Sequence, residues 1–267
     1  MSLKANSNVV SLSGGKDSTA MLLMMLERGE PIADIVFFDT GWEFPQMYEH
    51  LDLMEQLIGR KITRLRPRLH PRFQTNKSPF DFIFSEYPAV SRKTGKIHKI
   101  GRGWPNPLRR WCTGNKQAAL KSHILSLTHR SDIVLPLNQC VGFAADEEER
   151  IDGPTKASKE YVQIRFPLIE WGITEEDALS YCHNWGFTWG GLYEVFERVS
   201  CFCCPLGGVE RSRKLRQHYP LLWQKMLEME SWLPEGDLGR RFEHKNAVSD
   251  LESRFIEEDM QGCPSSE

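Results

Sequence analysis

Residues 9–26, VVSLSGGKDSTAMLLMML, constrain the fold most. A β-forming run enters Ser13-Gly14-Gly15-Lys16-Asp17-Ser18 and passes straight into an apolar, helix-forming stretch. Two adjacent glycines let the backbone turn tightly and bring its N–H groups close to a ligand. The first turn of the helix that follows offers unpaired N–H donors and the positive end of the helix dipole. Strand, glycine loop and helix N-terminus in that order make an anion site, and phosphate is the usual anion.

The chain beyond this loop alternates strand-like and helix-like stretches. Asn8 to Leu12 reads as a strand and Asp17 to Arg28 as a helix ended by Gly29. ADIVFFDTG (33–41) reads as a second buried strand, Pro45 to Ile58 as a helix with proline near its start, and residues 61–67 as a short third strand. Thr113 reads as the cap of a helix running to about Thr128. A fourth strand falls within 132–150 and a fifth within 161–171, and Thr174 caps a helix with acidic residues in its first turn. This alternation predicts right-handed βαβ units, an α/β fold with a parallel sheet of about five strands. Residues 67–111, rich in Pro, Arg, Lys and Gly, break the rhythm and read as a basic insertion over the ligand edge of the sheet. The expected organisation is a nucleotide-binding domain over 1–210 and a helical extension over 211–267, with helices near Glu210–Gln217 and Pro220–Trp232. The last 30 residues are polar and read as partly loose.

With 267 residues, 40% of them hydrophobic and 26% charged, the chain can bury a sizeable core. No apolar run reaches membrane-spanning length and the first residues lack a signal-peptide pattern, so a cytoplasmic protein with no membrane partner is expected. The net charge of −2 is unevenly spread. Residues 66–116 hold twelve Lys/Arg against Asp81 and Glu86, leaving 22 Lys/Arg against 34 Asp/Glu elsewhere. A basic segment on an otherwise acidic chain points to a polyanionic partner, and nucleic acid is the expected one, ahead of a merely solvated loop. Seven cysteines, an odd number, argue against a secreted disulfide scaffold.

The glycine loop lacks the spacing of a Walker A motif. SGGKDS resembles instead the PP-loop of the N-type ATP pyrophosphatases, which release pyrophosphate from a nucleotide by reaction at its α-phosphate. FFDTGWEFPQMY (37–48) is similar to the corresponding strand end of the phosphoadenylyl-sulfate reductase family. RRWCTGNK (109–116), GFAADEEER (142–150), FPLIEWGITEEDALSYCHNWG (166–186) and GLYEVFERVSCFCCPLGG (191–208) resemble further segments of that superfamily. Ala144 stands where those loops often carry arginine. The resemblance covers about residues 8–210, with 67–108 poorly matched. It implies a Rossmann-like adenine nucleotide alpha-hydrolase fold and an ATP site. Ser13, Gly14, Gly15 and Ser18 would cradle phosphates, with Asp39, Thr40 and Gly41 beside the nucleotide at a strand end. Lys16, Asp17, Asp146 and Arg150 are the expected catalytic set. Asp17 is suited to hold Mg²⁺, which prefers carboxylate and phosphate oxygens, with a simple helix cap as its alternative role.

Cys201 and Cys204 form a Cys-x-x-Cys followed by proline, and Cys112 lies upstream in an arginine-rich loop. Cluster-bearing relatives imply a [4Fe–4S] cluster on Cys112, Cys201 and Cys204, with Cys203 or Cys140 as fourth ligand. Zinc is the competing occupant and buried free thiols without metal the third possibility. Cys182 is expected in the core. Cys263, near the end in DMQGCPSSE, lacks the Glu, Gly and His of the reductases' tail motif. The histidines show no metal-binding spacing. Trp171, Trp185 and Trp189 are expected in the core. Trp104 and Trp111 are candidate base contacts, and Arg102, Arg109, Arg110 and Lys116 candidate nucleic-acid contacts.

The function this implies is adenylation of a substrate by MgATP for sulfur transfer to a nucleic acid, similar to the sulfur-transfer subunit of DNA phosphorothioation systems, with a sulfur-donor protein as a further partner. The alternatives are reduction of adenylyl-sulfate or phosphoadenylyl-sulfate through a tail thiol, and a module that senses ATP and nucleic acid without turnover.

Overall fold

A computed structural model describes residues 7–67, 69, 75–90, 93–107, 109–151, 161–243 and 246–262. Cys263 lies outside them, as does the side chain of Arg150. The chain divides into two compact units, each described by itself. The first comprises Met1–Asp39, Glu43–Arg66 and Lys116–Glu194; the second comprises Thr40–Trp42, Pro67–Asn115 and Val195–Glu267. This differs from the division at residue 210 read from the sequence. The basic insertion and the C-terminal helices share one unit, a grouping that only long-range packing reveals.

The first unit is a five-stranded parallel sheet of β1 (Asn8–Ser11), β2 (Ile32–Phe38), β3 (Thr63–Leu65), β6 (Leu137–Val141) and β7 (Val162–Arg165). Its order is β3-β2-β1-β6-β7. The chain therefore builds outward from β1 to β3 and then crosses to the other side of β1. Ligands of open α/β sheets sit beyond the carboxyl ends of the strands at such a reversal, and the glycine loop leaves β1 there. α1 (Lys16–Glu27) is buried along most of its length, as a helix apolar nearly all round must be. α2 (Pro45–Ile58) starts on proline and ends at Gly59 in the left-handed region, φ 63°. Val9, Val36, Ile124, Leu127 and Leu137 form a core cluster on the sheet. After β7 and the one-turn α5 (Pro167–Glu170), α6 (Glu175–Asn184) opens on a capping box. There the Thr174 hydroxyl accepts from the Asp177 N–H and the Asp177 carboxylate accepts from the Thr174 N–H.

The second unit contains α3 (Pro79–Ser85), the antiparallel ribbon of β4 (Pro88–Val90) and β5 (Ile97–Ile100), α8 (Gly208–His218), α9 (Pro220–Ser231), the short pair β8 (Arg241–Glu243) and β9 (Asn246–Ala247), and α10 (Val248–Gly262). α4 (Trp111–Leu127) and α7 (Leu192–Val195) complete the helices named here. Thr113 stands inside α4, not at its cap. The helix begins two residues earlier, and Asn115 secures its first turn by donating to the Trp111 carbonyl. Trp42, Phe80, Phe84, Trp104, Trp111 and Phe242 pack edge-on or tilted against one another. This corrects the reading of Trp104 and Trp111 as base contacts: they are 1% and 7% exposed. Of the three tryptophans expected in the core, Trp189 is buried, Trp171 half-buried and Trp185 exposed. The C-terminal segment read as loose contains α10, whose Leu251 and Phe255 are buried. Its many charges lie on the other faces of an amphipathic helix.

Candidate functional site

The glycine loop is braced by side chains from far along the chain. Gly14 takes φ 81°, a region open to glycine, and a Cβ there would meet Met47 Cε at 2.9 Å. The Ser18 hydroxyl accepts from the Ser13 N–H at 3.0 Å and donates to the Gly15 carbonyl at 3.1 Å, closing the turn on itself. Trp189 Nε1 donates to the Gly14 carbonyl at 2.7 Å, and the Tyr193 hydroxyl accepts from the Lys16 N–H at 2.7 Å. Trp189 holds a positive φ of 49°, the strained backbone of an over-determined position. Cys182, fully buried, points its thiol at the Lys16 carbonyl, and burial pushes its pKa up to about 12.

Among the described residues, the N–H groups of Gly14 and Ser18 have no hydrogen-bond partner. Both are donors available to a ligand. Gly142, which opens GFAADEEER, lies against the second of them: a Cβ there would sit 2.9 Å from the Ser18 nitrogen. Glycine at 142 is what lets the β6 loop pass so close to that amide.

Lys16 is buried, with Nζ 2.7 Å from Glu175 Oε2 and 3.3 Å from Asp17 Oδ1. Burial raises the Asp17 pKa, Lys16 opposes the rise and Glu175 adds to it. Glu175 is the first residue of α6, and its N–H donates to Asp146 Oδ1 at 3.1 Å. Asp146 therefore sits at the N-terminus of α6, where a carboxylate favours the helix dipole. Asp39 is buried at the end of β2, with Arg66 donating twice to Oδ2 at 2.8 and 2.6 Å and Tyr48 donating to Oδ1 at 2.8 Å. Its carboxylate is engaged by protein groups. Thr40 and Gly41 belong to the second unit. The Thr40 hydroxyl accepts from the Trp42 N–H at 2.9 Å and lies 3.6 Å from Cys201 Sγ. Gly41, at φ 76°, lies against Ser78.

In the second unit Cys112, Cys201, Cys203 and Cys204 line one cavity of about 50 Å³, with Trp42, Phe80 and Arg110. The Cys204 N–H donates to the Cys201 carbonyl at 3.2 Å, folding the Cys-x-x-Cys into a turn. Arg211 clamps that turn by donating to Ser200 Oγ and to the Cys201 and Phe202 carbonyls. No three described His, Cys, Asp or Glu side chains gather as a single ion requires. The four cysteines come from two segments of the unit, and cysteine is the ligand type of iron–sulfur clusters and of zinc alike. Cys140 is elsewhere. It lies in β6, fully buried, its thiol directed at Asn8, with its pKa pushed up to about 12 by burial. Arg102, Arg109, Arg110 and Lys116 are exposed.

Residues 7–134 match the family described as "Phosphoadenosine phosphosulfate reductase domain". Over these residues, just under half of its length, the chain is similar to that family. The chain is 36% identical over 233 residues to an uncharacterized protein of Escherichia phage 186, covering 74% of this chain and 66% of that one. It is 26% identical over 224 residues to an uncharacterized protein of Methanocaldococcus jannaschii, covering 81% of this chain and 40% of that one. The chain thus spans less than two thirds of either relative. Among solved structures it is similar to a phosphoadenylyl-sulfate reductase from Candida auris in a phosphate complex. That likeness has TM-score 0.46 and 15% identity, over 73% of this chain and 81% of that one. It is also similar to the U34-tRNA thiolase NcsA from Methanococcus maripaludis with its [4Fe–4S] cluster, with TM-score 0.43 and 14% identity over 94% and 81%.

Sequence reasoning missed Glu175, Tyr193, Trp189 and Gly142 as residues packed against the glycine loop. Tyr193 lies 177 positions from its hydrogen-bond partner Lys16, beyond any local pattern. Two signals did exist: Gly142 opens a motif that resembles a family loop, and the cap at Thr174 fixes Glu175 at the first position of its helix.

Proposed function

We propose that the chain is a PP-loop enzyme that uses MgATP to adenylate a nucleic-acid acceptor for sulfur transfer. The observation that carries this reading is the pair of unpartnered amides, Gly14 and Ser18, beside Lys16 at the start of α1, with Gly142 passing close to Ser18 without a side chain. Amides at a helix N-terminus stabilise phosphate oxygens without reorganising. An acceptor oxygen attacks the α-phosphorus and the bond to the β-phosphate bridging oxygen breaks. Pyrophosphate leaves with the electron pair, and the acceptor proton goes to solvent. A sulfide-level nucleophile, hydrosulfide released by a donor, then attacks the activated centre: its electron pair forms the new bond to sulfur, AMP leaves with the pair of the broken bond to oxygen, and the hydrosulfide proton goes to solvent. Lys16 neutralises charge on the leaving group once its ammonium turns from Glu175 toward the phosphates. Asp17, a carboxylate at the mouth of a phosphate site, would hold Mg²⁺, which supplies charge neutralisation on the phosphate oxygens. Cys112, Cys201, Cys203 and Cys204 would hold an iron–sulfur cluster, which supplies redox-active iron.

ATP labelled at its α-phosphate tests the reading. AMP and pyrophosphate are expected when MgATP, a sulfur donor and DNA are supplied together, and Lys16→Met should suppress both. ADP and inorganic phosphate as products would refute it. ATP binding with no turnover on any DNA or RNA would leave the sensing module standing in its place. The family match favours a second reading, reduction of phosphoadenylyl-sulfate. Release of sulfite from that compound, lost in Cys263→Ser, would establish it.

A further inference from the structure

The β4–β5 ribbon is built differently from the other surfaces of its unit. Its base is fixed on α3: the Arg102 and Gly103 N–H groups donate to the Ile83 and Phe84 carbonyls, both at 3.0 Å. Gly101, at φ 73°, approaches so closely that a Cβ would lie 2.6 Å from the Phe84 carbonyl oxygen. Beyond this base, among the described residues, the two strands pair only with each other, Pro88 opposite Ile100 and Val90 opposite Ile97. Val90, Ile97 and Ile100 are 43%, 59% and 60% exposed. A two-stranded ribbon is marginal in water without a partner for its apolar side chains, so this exposure calls for one.

Charge identifies the partner. No Asp or Glu occurs between Glu86 and Asp132, while the ribbon and its flanks carry Arg92, Lys93, Lys96, Lys99 and Arg102. Lys93, Lys96 and Arg102 are exposed, and among the described residues none of the three is held in an ion pair. Glu86, the carboxylate at the base, is paired with Lys77 at 2.8 Å. An apolar protein surface would not require five cations on so short a segment. A polyanion that also offers apolar groups fits both features. The B-DNA major groove, about 12 Å wide, admits a two-stranded ribbon between rows of phosphates and exposes thymine methyl groups. The A-form RNA major groove is too narrow and deep for side chains to read.

We propose that the β4–β5 ribbon is a DNA-binding element that enters the major groove of duplex DNA, with Lys93, Lys96 and Arg102 on phosphates and Val90, Ile97 and Ile100 facing base edges. This rests on the reading that the acceptor is a nucleic acid, and it names the form and the element that grips it. The test is fluorescence anisotropy of a short labelled DNA duplex with the full chain over a salt series, compared with the double variant Lys93→Glu, Lys96→Glu. Loss of two phosphate contacts should reduce the slope of log affinity against log salt by about 1.8, roughly 0.9 per contact. Because both side chains are exposed, thermal unfolding of the variant should match the parent. An unchanged affinity and slope in the variant, with DNA bound by the parent, would overturn the ribbon and leave the nucleic-acid reading intact. Tighter binding of an RNA hairpin than of the duplex would overturn the groove assignment. A parent chain that binds neither would remove the nucleic-acid reading itself.

Discussion

His50 is a polar side chain in an apolar setting. It is 2% exposed, with Nε2 2.9 Å from the Thr19 hydroxyl and its ring against Phe187 and Trp189. None of these neighbours is charged, and burial lowers its pKa from 6.5 to about 4. The unfolded chain therefore binds the proton more readily than the folded one. Stability should be full above pH 6.5 and fall as pH drops from 6.5 toward 4, by about 3 kcal/mol from this group. Urea unfolding at pH 7 and pH 4 should show that loss, and His50→Asn should shrink it. An equal loss in the variant would contradict the assignment. At Gly142 the expected effect is on ligand binding. Gly142→Ala pushes a methyl against the Ser18 nitrogen, and calorimetry should find ATP bound about tenfold more weakly, about 1.4 kcal/mol. Unaltered affinity would move the phosphate away from these amides. At this scale the tight turn at Gly14 was legible because adjacent glycines are a local signal. Tyr193 and Glu175 were not, since nothing local marks a tyrosine or glutamate for a distant loop.

Among elements, close backbone approach is the feature that a sequence conceals best. Gly103, at φ 65°, passes so near Gly239 that an added Cβ would lie 2.3 Å from its Cα. The Trp104 N–H donates to the Gly239 carbonyl at 2.8 Å, tying the insertion to the turn before β8. Gly103→Ala combines overpacking with a left-handed backbone and should cost about 3 kcal/mol. Denaturant unfolding followed by tryptophan fluorescence would report it, and a loss below 1 kcal/mol would mean the contact yields easily. The strands of the sheet fall where apolar runs end in turn residues, and the Thr174 cap was legible from the acidic residues in the turn that follows it. α10 was not, because a charged amphipathic helix reads as loop until a hydrophobic surface receives Leu251 and Phe255.

For the molecule as a whole, a ligand that binds only the folded chain stabilises all of it. At a concentration 100 times its Kd, MgATP should add about 2.7 kcal/mol and raise Tm, while Lys16→Met should show little shift. No shift in the parent would mean that the PP-loop binds no nucleotide. Among the described residues, no helix is long and apolar enough to cross a membrane. Anaerobic purification with metal analysis should find iron, about four per chain if the cluster is [4Fe–4S], and less of it in Cys201→Ser. Zinc in place of iron would reverse that assignment.

The sequence by itself determined the parallel α/β sheet and the glycine loop at the end of β1, because periodicity and glycine pairs are local properties of the chain. Tertiary structure alone decided the rest. It joined residues 67–115 to the C-terminal helices, buried Trp104 and Trp111, engaged Asp39 with Arg66, and set Glu175 and Tyr193 against the loop. Those outcomes depend on which surfaces can fill one another's space and satisfy one another's polar groups. Segments more than a hundred residues apart settle that only when they meet.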